Sequence, residues 1–326
     1  RLLAPNIRLT TGDDANGTET VELLIGANPS PAWLASPTLR AVIVPWAGVP
    51  EKTVSILRDY PHIALHNLHY NAQQTAEMAV ALLFAAAKFI VPYDQSLRRT
   101  DWTPRYQPAR AFLLHGKTAL ILGYGSIGQA IGRMLKGIGM TVIGTKRSLP
   151  SPQPSPEGRG LTRLPSPVGR GAGGEGEADE IHPQTALPDL LPRANFLIIA
   201  LPLTEETRGL IGEKELALLP DEAILINIGR GPIVDEHALY TALTSGKLAA
   251  AGLDVWWNYP TDEESRTHTP PANVPLHELE NVVLSPHRGG QVRERDESWA
   301  TALAEMINVF ARGEEMGNRV NVDIGY

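Results

Sequence analysis

Short apolar runs alternate with amphipathic stretches along almost the whole chain, the pattern of a parallel sheet covered by helices. The runs at residues 41–44, 118–122, 141–144, 196–200, 224–227, 250–253 and 282–284 are nearly continuously apolar, as strands buried on both faces are. Two longer stretches predict helices. Residues 71–89 are apolar nearly all round (Ala76, Ala79, Val80, Leu83, Phe84, Ala87), which places this helix between domains or subunits. Residues 296–312 carry Trp299, Leu303, Met306 and Phe310 on one face and stop at Gly313. Residues 150–178 break the rhythm. They are rich in Pro, Gly, Ser and Arg, they hold an imperfect repeat (PSPEGRG, then PSPVGRG), and they lack an apolar period. Such a stretch buries too little surface to offset its ordering entropy and reads as a disordered insertion in a surface loop, with a functional lid as the rival reading.

Composition narrows the class. A chain of 326 residues is long enough for two domains. A net charge of −7 argues against nucleic acid or an anionic membrane as the main partner, since both select a basic footprint. Without cysteine there is no disulfide, thiolate nucleophile or thiolate-bound metal. The longest apolar run, 78–87, is too short to span a bilayer, and the default expectation is a cytoplasmic enzyme. The chain opens on Arg1 without a recognisable signal peptide, so its start is missing or processed.

The first chemistry-bearing motif is a strand, a glycine turn and a helix: residues 118–122, then Gly123-Tyr124-Gly125-Ser126-Ile127-Gly128, then an amphipathic stretch burying Ala130, Ile131, Met134 and Leu135. In this context G-x-G-x-x-G predicts a dinucleotide site. Gly123 permits the turn, Gly125 lets backbone approach a pyrophosphate, and Gly128 allows close helix–strand packing. The helix N-terminus offers N–H groups and a positive dipole end to phosphate. A tight turn without ligand is the bland alternative. An NAD site carries Asp or Glu at the end of the next strand, about 20 residues on. Here that strand runs into Thr145, Lys146, Arg147 and Ser148, whose cations and hydroxyls suit a 2′-phosphate, so NADP is favoured over NAD. A solvated basic turn is the competing reading.

Further segments follow in order: Leu201-Pro-Leu-Thr-Glu-Glu-Thr207-Arg-Gly-Leu-Ile-Gly212, Asn227-Ile-Gly-Arg230-Gly-Pro-Ile-Val-Asp235, Gly252-Leu-Asp254-Val and Ser285-Pro-His287. With the glycine turn they cover residues 117–290, and weaker matches lie at 46–49, 76–78 and 321–323. Together they resemble the D-isomer-specific 2-hydroxyacid dehydrogenases, of the glyoxylate/hydroxypyruvate reductase or phosphoglycerate dehydrogenase kind. The resemblance implies an α/β fold: a doubly wound parallel sheet, the Rossmann dinucleotide-binding domain (93–290), inserted into a smaller flavodoxin-like α/β substrate domain (1–92 plus 291–326). It implies hydride transfer between a nicotinamide cofactor and a small 2-oxoacid or D-2-hydroxy acid, in a homodimer. Arg230 and His287 each follow a strand, where ligands sit in open α/β sheets. A guanidinium fork suits a carboxylate with its adjacent carbonyl, and an imidazole can give or take a proton near neutrality. Taken singly, each is as well read as a solvated or structural residue; the resemblance assigns both to catalysis. It also implies that the backbone N–H groups of Ala47 and Gly48 grip the substrate carboxylate. Asp254 would bond the nicotinamide carboxamide, and Pro202, Thr207, Ile228 and Gly229 would line the cofactor.

The chain departs from that family at Tyr259, which stands where a Glu usually holds the His and stabilises its protonated form. A phenol adds no negative charge, so reduction is expected to fade at lower pH than in Glu-bearing relatives. Asp262 or Glu263 are candidate substitutes, and Arg288 beside His287 is expected to lower its pKa further. Relatives also carry about one more strand–helix unit before Leu2. Trp46, Tyr70, Trp102, Trp256 and Trp257 are candidates for an aromatic pocket wall, or core. His62, His66 and His69 read as structural, with no metal site. Two alternatives stay open: a dinucleotide-binding sensor or corepressor-like protein, or a decayed enzyme without turnover, and formate-type oxidation within enzymes. Retention of both Arg230 and His287 speaks against the first.

Overall fold

The computed structural model describes residues 2–10, 21–147 and 178–323; the expected insertion at 150–178 lies outside them but for its last residue. The chain divides into two compact units, Arg1–Asn71 with Gln291–Tyr326, and Ala72–Gly290. It begins in the first unit with β1 (Leu23–Ile25), α1 (Pro31–Leu34), β2 (Ala41–Val44), α2 (Glu51–Leu57) and β3 (Ala64–Asn67). The second unit holds α3 (Ala72–Ala87), α4 (Ile90–Arg98), β4 (Thr118–Leu122), α5 (Ser126–Gly137), β5 (Thr141–Lys146), β6 (Glu180–Pro183) and α6 (Leu187–Leu190). It continues through β7 (Phe196–Ile199), α7 (Glu213–Leu218), β8 (Ala223–Asn227), α8 (Glu236–Thr244), β9 (Leu248–Leu253) and β10 (Val282–Leu284). The chain then returns to the first unit as α9 (Arg295–Ala311).

In the first unit β1, β2 and β3 form a parallel sheet in that order. Strand side chains alternate between faces, and β2 shows it. Val42 and Val44 pack with Val54 and Leu57 of α2, whereas Ala41 and Ile43 pack with Leu303, Met306 and Ile307 of α9. The segment at 296–312 is thus the helix its stripe predicted.

The second unit is a parallel seven-stranded sheet ordered β10-β9-β8-β7-β4-β5-β6. The order reverses between β4 and β7, so the crevice beyond the carboxyl ends of those two strands is the ligand position of a doubly wound sheet. Both faces are covered. Leu120 and Leu122 of β4 lie in one core with residues of α6, α7 and α8, while Ala119 and Ile121 lie in the other with residues of α3 and α5. That two-sided burial is why the strand sequences read as unbroken apolar runs. β6 is the exception: an edge strand reading Glu-Ile-His-Pro, with Pro183 where no further ladder partner requires its N–H.

The helix expected between domains belongs wholly to this unit. α3 buries Thr75, Ala76, Ala79, Leu82, Leu83, Ala86 and Ala87 and packs against α5, β8 and β9. The division between units accordingly falls before α3 rather than after residue 92. No single helix among the described residues is long and apolar enough to cross a membrane. Leu83→Ala, at a fully buried position, is expected to cost the fold about 2–5 kcal/mol. A lowered urea midpoint checks this, and an unchanged midpoint would show that α3 does not cover the sheet.

Candidate active site

The glycine turn sits where the strand order reverses. Gly123 adopts φ +91°, open to glycine at no steric cost, and a Cβ there would lie 2.8 Å from the Ala200 carbonyl oxygen at the end of β7. At Gly128 a Cβ would lie 2.3 Å from the Gly123 carbonyl oxygen, so only glycine lets α5 start this close to the turn. Gly125 is different: it is the N-cap of α5, no side chain caps the turn, and a Cβ on it would meet nothing within 4 Å. The space beyond Gly125 and the first-turn N–H groups at Ser126, Ile127 and Gly128 suit an anion, so these residues fit a dinucleotide pyrophosphate. Tyr124 does not face that space. Its ring is 2% exposed, packed against Gly132 and Gly144, while its N–H donates to the Thr145 carbonyl at 2.7 Å.

At the end of β5, Thr145 is buried and its Oγ1 accepts from the Gly123 N–H at 3.4 Å, tying the strand to the glycine turn. Lys146 and Arg147 follow. The Arg147 guanidinium donates to Glu206 Oε1 at 2.7 Å, so the cation read as a phosphate ligand already holds a carboxylate from the loop after β7. In that loop Thr207 is also turned inward. Its Oγ1 donates to the Pro202 carbonyl at 2.7 Å and accepts from the Thr204 N–H at 2.8 Å, which makes Thr207 a brace for Pro202 rather than an exposed lining group.

Beyond β8 the chain turns through Ile228 and Gly229 to Arg230. The fully buried Asn227 sets this turn: its Oδ1 accepts from the Gly229 N–H at 3.0 Å and its Nδ2 donates to the Arg230 carbonyl at 3.0 Å. Gly229 approaches Leu201 closely, and Arg230 Nη1 donates to the Gly229 carbonyl at 2.7 Å. Asn227 was visible in the motif, but an amide that shapes a backbone turn has no pattern of its own in a sequence.

Asp254 follows β9 and is 2% exposed. Its Oδ1 accepts from Ser285 Oγ at 2.5 Å and from the Arg288 N–H at 2.8 Å, and its Oδ2 accepts from the Gly289 N–H at 2.8 Å. The contacts that the structure gives this carboxylate are therefore to the loop after β10, which carries His287. His287 itself has φ +57°, a backbone region that a non-glycine residue occupies at a cost and that recurs at functional sites.

His287 and Tyr259 are brought together. Tyr259 Oη lies 2.9 Å from His287 Nδ1, with ring centroids 5.6 Å apart, and the Trp256 N–H donates to the same oxygen at 3.1 Å. The candidate acids are elsewhere: Asp262 accepts from the Ser265 N–H at 2.8 Å and Glu263 pairs with Arg266 at 2.8 Å. His287 keeps solvent access on one side, yet partial burial against Tyr259 and then the Arg230 charge push its pKa below the usual imidazole value, partly offset by Asp254. The cation acting on it is Arg230; Arg288 contributes its N–H to Asp254. Burial pushes the Tyr259 pKa up, opposed by the Trp256 N–H and Arg230. Trp256 and Trp257 are structural here, their indole N–H groups donating to the Ser285 and Val234 carbonyls, both at 2.9 Å.

In the first unit, Ala47 and Gly48 lie in the bend after β2. The buried Asn67 donates to the Ala47 carbonyl at 2.6 Å, and its Oδ1 lies 3.0 Å from His69 Nε2. His66 Nδ1 donates to the Gly317 carbonyl at 2.9 Å, and burial lowers the pKa of both histidines. Among the described residues there is no cluster that could hold a metal ion.

Comparison with known proteins bears on this arrangement. The family description "D-isomer specific 2-hydroxyacid dehydrogenase, NAD binding domain" matches residues 80–164 and 170–289. The glyoxylate reductase of Thermococcus litoralis is 38% identical over 255 residues, 77% of this chain and 67% of that protein. The D-3-phosphoglycerate dehydrogenase of Methanocaldococcus jannaschii is 34% identical over 247 residues, which cover 76% of this chain and only 41% of that longer protein. The crystal structure of a D-isomer specific 2-hydroxyacid dehydrogenase from Xanthobacter autotrophicus Py2, in complex with NADPH and MES, superposes with a TM-score of 0.71. It is 27% identical, covering 95% of this chain and 87% of that one.

Asp254→Asn turns one acceptor oxygen into a donor facing Ser285 and the Arg288 N–H, or Gly289. A buried donor–donor clash of this kind costs about 1–3 kcal/mol. The expected outcome is a lower melting temperature together with a loss of activity larger than that stability change explains. A melting temperature equal to wild type would show that the carboxylate does not hold the His287 loop.

Proposed function

This chain belongs to the D-isomer specific 2-hydroxyacid dehydrogenase family and is with it an NAD(P)-dependent oxidoreductase, and we propose that it reduces a short 2-oxoacid such as glyoxylate or hydroxypyruvate to the D-2-hydroxy acid, or runs the reverse oxidation. The observation that carries the reading is the grouping of Arg230, His287 and Asp254 at the carboxyl ends of adjacent strands, in the unit that bears the glycine turn. The second unit is proposed as the dinucleotide domain and the first as the substrate domain.

When bound, the nicotinamide cofactor supplies the hydride. The residues of this chain bind, orient and move the proton. The glycine turn and the first turn of α5 take the pyrophosphate; Lys146 and Arg147 take a 2′-phosphate, with Arg147 exchanging Glu206 for it. The Ala47 and Gly48 N–H groups take the substrate carboxylate. Arg230, its turn held by Asn227, offers its guanidinium to the carboxylate and carbonyl oxygen, which draws electrons from the carbonyl carbon that is to receive hydride. His287 exchanges the proton with the carbonyl oxygen. Asp254, through Ser285, Arg288 and Gly289, positions that imidazole.

We further propose a cytoplasmic homodimer. What supports the dimer is that Ile90, Leu97, Trp102, Tyr106 and Leu113 are exposed within one stretch of the second unit, Tyr106 at 81%, large apolar side chains of the kind that line partner surfaces. Tyr106→Glu with Leu113→Glu is expected to halve the mass seen by light scattering. A wild-type chain that already has monomer mass overturns this part.

The reaction is tested by consumption of NADPH and NADH across a panel of short 2-oxoacids. Turnover with NADPH preferred is the expected result; cofactor binding without turnover of any oxoacid would favour a sensor or a decayed enzyme. Replacing Lys146 and Arg147 by Ala removes charge-assisted hydrogen bonds worth about 1.5–3 kcal/mol together, because Arg147 exchanges Glu206 for the phosphate. The kcat/KM with NADPH should fall about 10- to 100-fold, a tenfold change being about 1.4 kcal/mol, and that with NADH should change little. Equal losses with both cofactors would reduce the two cations to a solvated turn.

A further inference from the structure

The hydrogen bonds around Tyr259 favour one direction for its proton, outward from the oxygen that accepts from Trp256 and onto His287. A backbone N–H can only donate, and that of Trp256 reaches the Tyr259 oxygen at 3.1 Å. The same oxygen lies 2.9 Å from His287 Nδ1. A phenol has one hydrogen and can hand it to an acceptor while accepting from Trp256. His287 Nδ1 is the acceptor that the geometry offers, which makes it the unprotonated nitrogen and leaves the proton of the neutral imidazole on Nε2. A carboxylate in the place of Tyr259 would impose the opposite polarity. It only accepts, so it demands Nδ1–H and favours a doubly protonated, cationic ring.

We propose that Tyr259 and His287 form a neutral proton relay in which Tyr259 is the proton source for carbonyl reduction, an inference that rests on the 2-oxoacid reductase reading above. As the carbonyl carbon gains hydride from the nicotinamide, its oxygen forms an O–H bond with the His287 Nε2 proton and that N–H bond breaks. In the same step Nδ1 takes the Tyr259 proton and the phenolic O–H bond breaks. A neutral imidazole protonated at Nδ1 and a phenolate result. The two electrons come with the hydride and the proton comes from Tyr259. Water then gives one proton to Nε2 as the Nδ1 proton goes back to the phenolate, the hydroxide left passing to solvent, to which Tyr259 is 44% exposed. The hydroxy acid oxidation runs these shifts in reverse.

The surrounding charges favour this path over an imidazolium acid. Arg230, at the end of β8, opposes a cation at His287 and supports an anion at Tyr259. Asp254, at the end of β9, acts in the opposite sense on both, but its oxygens are occupied by Ser285 Oγ and the N–H groups of Arg288 and Gly289. The Trp256 N–H gives a phenolate a donor already in place. The relay thus places its transient charge on the oxygen, which burial opposes and the Trp256 N–H and Arg230 support.

The two acids differ in their pH dependence. An imidazolium loses about tenfold per unit of pH above its pKa, which ordinarily lies near 6.5 and is lower here. A neutral relay keeps its proton until the phenol ionises, ordinarily near 10. The experiment measures kcat/KM for glyoxylate reduction from about pH 6 to 10, in wild type and Tyr259→Phe, alongside 15N imidazole shifts of His287 in the cofactor-free wild-type protein. The relay expects a wild-type plateau from about pH 7 to 9. It expects a Tyr259→Phe defect that widens with pH, reaching about 100-fold near pH 9. It also expects Nδ1 as the bare acceptor with Nε2 protonated. A wild type that falls tenfold per unit above neutrality overturns it, as does a Tyr259→Phe defect constant at every pH, or an Nδ1–H tautomer. The tautomer needs neither turnover nor the variant to fold. A protein that reduces no oxoacid would therefore sink the reductase reading, while the relay's geometry would still be decided by the imidazole shifts.

Discussion

One buried carboxylate organises the end of the second unit at which β8, β9 and β10 finish. Asp254 closes β9, and its two oxygens gather Ser285 Oγ and the N–H groups of Arg288 and Gly289 from the loop after β10. Three donors around a nearly inaccessible carboxylate leave that loop little freedom, because moving it would strand a charge without partners. The constraint passes to His287, whose left-handed backbone would relax elsewhere if its neighbours were not fixed. It passes also to Trp256, whose indole reaches the Ser285 carbonyl while its N–H orients Tyr259. The Tyr259–His287 pair is thus braced by one hydrogen-bond network that runs largely through backbone groups.

Much of this architecture was legible in the sequence, for a physical reason. The central strands of a sheet covered on both faces must be largely apolar, so β2, β4, β7 and β8 announced themselves as short, nearly unbroken runs. The edge strand β6, with Glu180 and Pro183, carries no such signal and was not recognised. α3 was legible as a helix covered over much of its surface, but not the partner that covers it. An apolar helix can be covered by another domain or by its own, and the sequence does not say which; the structure lays it on α5, β8 and β9.

Site residues divide in a similar way. Gly123 and Gly128 could be read because their need is steric and only one residue type meets it. Side-chain direction could not be read. Tyr124 and Thr207 occupy the expected loops but turn inward, one between two glycines and the other onto the Pro202 carbonyl. Asn227 and Ser285 act through single hydrogen bonds to a turn and to a carboxylate, and no spacing encodes those. Tyr259 was visible as a departure from a pattern, but its hydrogen bonding depends on the Trp256 N–H three residues before it, and a backbone N–H carries no residue signature.

The path of the chain between its units has a consequence for how the protein is made. The second unit is one continuous stretch, Ala72–Gly290, whereas the first is assembled from both ends of the sequence. Asn308 of α9 bonds the backbone of Leu2 and Ala4, and His66 bonds Gly317. Domains tend to fold as they emerge during synthesis. The larger unit therefore leaves the ribosome with all its strands while the smaller still lacks α9, and β2 waits with Ala41 and Ile43 uncovered. For that interval the nascent chain carries an open apolar face, and α9, translated only after the whole second unit, is the helix that shields it.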